Sequence, residues 1–174
     1  MGTTYEACGD DVHKLVAKAM GEWHLELKAS GVTIDAVFAR KLDSDENPVP
    51  AVTAHGSTAA AKIGITSLED RARGLKDAKL TIDGHVWDGL SAQSRIALID
   101  HELEHLNAGE ERDDLGRPKL KMSKHDYVLA GFLSIINRHG QNAIEHREMT
   151  RFQGEHGQLF LPGIGDGKGD KANG

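Results

Sequence analysis

Apolar residues first recur at helical spacing at Val12, Leu15, Val16, Ala19, Met20, Trp23 and Leu27. Positions three and four apart share one helix face, so this stripe predicts a helix over about 10–29. Asp10 or Asp11 can cap its free amides, and Ser30-Gly31 stops it. The period then shortens to two. Val32, Ile34 and Ala36 alternate with polar neighbours and lead into Val37 and Phe38, which predicts a strand over 32–40. The stretch KLDSDENPVP that follows is charged and turn-rich and reads as an exposed loop. A second strand is expected within 51–58. Segment 59–75 is ambiguous, with a short helix over 67–73 ended by Gly74 as one reading. Residues 79–82 alternate as another strand, and Asp83-Gly84 reads as a turn.

Helical spacing returns after a cap at Ser91. Ile96, Ile99, Leu103 and Leu106 predict a helix over about 92–108, with Gly109 as its stop. A short extended piece at 119–122 precedes a predicted helix over 123–138, whose apolar face is Val128, Phe132, Ile135 and Ile136. A further short helix is expected over 142–152. From Gly154 the chain is glycine-rich with little to pack. The expected organisation is a lead over 1–9, one domain over 10–153 and a flexible tail over 154–174.

Composition narrows the function classes. The 174 residues suffice for one domain with a real core. Asp and Glu number 27 against 21 Lys and Arg, a net charge of −6. This field does not favour nucleic acid or an anionic membrane as a default partner, though it leaves room for a local basic patch. No stretch reaches the length of a membrane span, and the N-terminus lacks a secretory pattern, so a cytoplasmic protein is expected. The single Cys8 has no activating context and reads as a bystander.

The candidate chemistry lies in LIDHELEHLN, residues 98–107. His101 and His105 are four apart and project from one helix face, a spacing that lets both enter one tetrahedral zinc shell. Glu102 is placed to take a proton from metal-bound water and to return it to a leaving amine. A chance HExxH in a chain of this composition arises in roughly one case in twenty-five, so its context on a strong helix matters. A catalytic zinc usually keeps three protein ligands. His125 is the first choice for the third, with Asp126 as the alternative ligand or as a partner that orients an imidazole. Tyr127 is a candidate oxyanion donor or a packing residue. Glu145 and His146 are weaker ligand candidates that require the last helix to fold back. The acidic run 110–114 reads as a solvated loop, Trp87 as a core anchor, and the remaining histidines as surface or polar-network residues.

The segments VWDGLSAQSRIALIDHELEHL and LKMSKHDYVLAGFLSIINRHG resemble the phage metallopeptidase family, which is grouped with compact SprT-like zincins. The resemblance implies a small α+β domain with an N-terminal helix, a small mixed sheet, the HExxH helix and a returning C-terminal helix. It implies His101, His105 and His125 as zinc ligands, Glu102 as the catalytic acid/base and Asp126 as an acidic neighbour. It further implies a protein or peptide substrate bound along an edge strand, for which 32–40 and 52–58 are candidates. For a phage-encoded chain the expected compartment is the bacterial host cytoplasm. Two other readings stay open: a non-catalytic zinc-stabilised accessory protein and a DNA-associated SprT-like protease.

Overall fold

A computed structural model describes residues 2–54, 56–125 and 131–146. It is an α+β fold built on a mixed sheet. Strand β1 (Thr4–Ala7), within the expected lead, pairs antiparallel with β2 (Ile34–Leu42). The short β3 (Pro48–Val49) closes a hairpin onto the end of β2. A two-residue hairpin, β4 (Thr53–Ala54) with β5 (Ser57–Thr58), leads into β6 (Ala61–Ile65). β7 (Ala78–Asp83) runs parallel to β2 and antiparallel to β6, giving the order β1-β2-β7-β6. β2 is therefore interior, and β6 and β1 are the strands at the two ends of this order. This corrects the expectation that 32–40 offers a substrate edge.

The N-terminal helix is two helices, α1 (Asp10–Glu22) and α2 (Leu25–Ala29). The break falls at His24, which turns inward and places Nε2 2.6 Å from the buried Asp100 carboxylate. A buried hydrogen bond thus overrides helix propensity at that point. Neither Asp10 nor Asp11 caps α1; Gly9 occupies that position, and both acids lie in the first turn, where the helix dipole favours them. Gly31, with φ 74°, makes the left-handed turn that reverses the chain into β2.

Segment 59–75 resolves into β6 and α3 (Leu68–Ala72), capped by Ser67. Asp83 does not make a simple turn: its carboxylate accepts the His85 and Val86 amides and starts α4 (Gly84–Asp88). Trp87 anchors α4 in the core, tilted against Phe38 at 5.9 Å. Ser91 caps α5 (Ala92–Glu104), as the sequence pattern predicts. Val12, Val16 and Ala19 of α1, Ala36 of β2, Leu80 and Ile82 of β7, and Leu98, Ile99 and Leu103 of α5 form one continuous core. Burial of each large side chain here stabilises the fold by about 2–3 kcal/mol.

α5 ends at Glu104 rather than near Ala108. Leu106–Arg112 instead forms β8, paired with β9 (Pro118–Met122). Long-range pairing wins here over local helical spacing. Asp113 organises the hairpin turn by accepting the Leu115 and Arg117 amides at 2.9 Å each. The buried Arg71 guanidinium ties that turn to the sheet, 3.1 Å from Asp77 and 2.7 Å from Asp113.

The expected 123–138 helix is shorter. Residues 123–125 are non-helical, and α6 begins only after the extended Phe132, spanning Leu133–His139. It returns to pack on α5, and its Ile135 joins Phe132 and Ala143 in a satellite cluster. A 3-10 turn, Gly140–Asn142, follows it. The expected tail lies outside the described residues.

Candidate metal centre

α5 delivers His101 and Glu102 from its last turns, both buried, and ends on His105, whose backbone is still helical (φ −69°, ψ −17°). The four-residue spacing therefore keeps its geometry although the helix stops. The third imidazole comes from the hairpin. The Ser123 amide donates to the His105 carbonyl at 2.7 Å, which fixes the exit of β9 against the end of α5. Two residues on, His125 reaches the same place. One ligand nitrogen each from His101, His105 and His125 lie within 4.8 Å of one another.

The hydrogen bonds orient these rings. His105 Nδ1 donates to the Ser123 carbonyl at 2.9 Å. His101 Nδ1 lies 2.6 Å from Glu145 Oε1, while its Nε2 lies 3.3 Å from His125 Nε2. A carbonyl and a carboxylate can only accept, so both Nδ1 atoms carry a proton, and in the neutral form of each ring Nε2 then offers a lone pair. Phe132 packs edge-on against all three rings, with centroids at 5.4, 4.8 and 5.1 Å. His101 and His105, each with its Nδ1 bonded outward, and His125 beside them form a donor set that could hold a divalent metal.

The three histidines and Glu102 line one cleft of about 660 Å³. Ala59, Ala60, Ala61 and Ile63 form a small apolar wall along β6, with Lys62 and Lys124 among the other lining residues. Burial pushes the Glu102 carboxyl up to about 7; His101 and the Ile63 amide pull it down, and Glu145 pushes it up further. A carboxyl titrating near neutrality suits proton transfer in both directions.

The family model described as "Putative phage metallopeptidase" matches residues 4–153. The chain belongs to this family. No curated protein and no solved structure matches the chain.

Against this metallopeptidase family background, the structure brings together His101, Glu102, His105 and His125. Asp126 and Tyr127 lie outside the described residues. Glu145 does fold back to the site, but it meets His101 at Nδ1 and is not part of the clustered donor set. Sequence reasoning missed the roles of Glu145 and Phe132. The available signal is a carboxylate preceded by Ala143 and Ile144 on a segment that reads as a short helix, where Glu145 is only a weak ligand candidate.

Two features read from sequence have structural counterparts away from the site. Cys8 is buried, and burial with Asp11, Asp35 and Glu6 pushes its thiol up to about 12, so it is no nucleophile at neutral pH. No helix among the described residues is long and apolar enough to cross a membrane.

Proposed function

We propose that the protein is a zinc-dependent peptidase of the zincin type, with His101, His105 and His125 holding the metal and Glu102 as the catalytic acid/base. The observation that carries this reading is the convergence of three imidazoles in a cleft shared with a buried glutamate. When bound, zinc polarises a scissile carbonyl and lowers the pKa of water. Glu102 accepts the proton of the attacking water and returns it to the leaving amine. Its burial supports this role, because a desolvated carboxylate is a stronger base than one in water. The cleft wall along β6 supports an extended peptide as substrate: the strand lies at the sheet edge, and Ala61, Lys62 and Ile63 line the cleft.

Among the described residues the three imidazoles open on the cleft, which supports this reading over a purely structural zinc, whose site is closed by a fourth protein ligand. Replacing Glu102 with Gln tests it. The expected result is loss of peptide hydrolysis by about 10²-fold or more, with zinc content unchanged. Full hydrolysis by the variant would overturn the mechanism.

A further inference from the structure

The two ring nitrogens of His101 face different chemistry. Nε2 lies toward His125, and Nδ1 lies 2.6 Å from the buried Glu145. The same Glu145 oxygen also accepts the Phe132 amide at 3.1 Å. A side chain at Gly131 would run into the Glu145 methylene, so only glycine leaves room for that approach. The Phe132 ring, held by the shared carboxylate at its amide, bears on His101, His105 and His125 together. Gly131, Phe132 and Glu145 therefore form one device, carried by the chain that follows His125.

We propose that Glu145 is the positioning residue of the centre, fixing the tautomer and the ring orientation of His101 so that its Nε2 lone pair is presented to the metal. This rests on the metal reading above. A neutral imidazole in water prefers its proton on Nε2, which would block ligation through that atom. The carboxylate reverses the preference and raises the basicity of the ring. His105 receives a weaker version of the same service from the neutral Ser123 carbonyl. His101 is thus a ligand whose orientation depends on a charge. Because Glu145 also holds the Phe132 amide, metal binding at His101 and docking of the segment around Phe132 reinforce each other.

The test uses the full-length chain, stripped of metal, as wild type and as Glu145→Ala, Glu145→Gln and Gly131→Ala. Zinc affinity is read by competition with a chromophoric chelator. The expected result is a loss of about 10–100-fold for Glu145→Ala, the range for removing such a partner. Glu145→Gln, whose Oε1 still accepts these N–H groups but carries no charge, should fall between it and wild type. Gly131→Ala should weaken binding by displacing Glu145 without touching any imidazole. The second readout is the long-range proton–nitrogen NMR spectrum of the metal-free proteins. His101 should carry its proton on Nδ1 in wild type and lose that preference in Glu145→Ala, with His105 unchanged. A purely packing role would lower the melting temperature without moving the tautomer. Zinc affinity within about twofold of wild type in Glu145→Ala would overturn the proposal, and so would an Nε2–H tautomer of His101 in wild type. If wild type took up no zinc, the metal reading would fail, and the tautomer result would still decide the role of Glu145. Should the alanine variant not fold, Glu145→Gln and Gly131→Ala give the same comparison.

Discussion

Asp100 and His101 are neighbours on α5, yet their side chains enter clusters of opposite character. Asp100 is fully buried and meets His24 at 2.6 Å, His139 at 2.7 Å and the Arg138 guanidinium at 2.8 Å. Arg138 also reaches Glu104 at 2.7 Å. His24, Asp100 and Glu104 have the spacing of a metal site, but here a guanidinium already bridges the two carboxylates. A divalent cation would have to enter beside a fixed positive charge. The His101, His105 and His125 cluster instead presents imidazoles to one another, with the Nδ1 atoms of His101 and His105 bonded away. One cluster is neutralised by the chain itself and binds helices together. The other is the proposed metal site, three imidazoles that could hold a divalent ion.

The largest expected effect lies on the neutralised side. Asp100→Ala would leave Arg138, His24 and His139 facing one another in the interior. Loss of a partner from such a buried network costs about 3–5 kcal/mol. Urea unfolding should show it, with zinc uptake reduced only as far as the fold is lost. His105→Ala sharpens the contrast: it should abolish zinc binding while lowering the stability of the metal-free protein by about 1 kcal/mol, the worth of a hydrogen bond such as that to the Ser123 carbonyl. Equal destabilisation by the two variants would erase the distinction.

Acid titration separates the clusters differently. Burial pushes the Asp100 carboxyl up, but His24, His139 and Arg138 outweigh it and hold the group below the usual carboxylate range. A carboxyl depressed in the folded state contributes stability above its unfolded pKa of about 3.9 and loses it as pH falls through the folded value. Unfolding free energy should therefore drop below about pH 4. In Asp100→Asn that drop should be shallower. An unchanged slope would remove Asp100 from the acid-sensitive set. The smallest effect is expected for Ser134→Ala, which removes a hydroxyl donor to Glu104 and should cost about 1 kcal/mol in a thermal melt.

What was legible in the sequence was local. The HELEH pair needs only helical periodicity, and Ser91 marks the start of its helix. His125 was reachable through the family pattern and as the start of an expected returning helix, although the structure delivers it from the non-helical residues after β9. The features that escaped depend on distant partners. His24 breaks the first helix because Asp100 lies 76 residues away. α5 stops early because β8 finds β9. Phe132 fits an apolar helix face by spacing, yet it is an extended residue pinned by Glu145. Glu145 lies 44 residues beyond His101 and has no spacing signal at all.

Zinc content by elemental mass spectrometry on purified wild type, His125→Ala and His24→Ala tests the account most directly. The prediction is about one zinc per chain in wild type, as a single catalytic site requires. The metal should be lost in His125→Ala and kept in folded His24→Ala. Zinc retained in His125→Ala and lost in His24→Ala would place the metal in the other cluster and contradict the account.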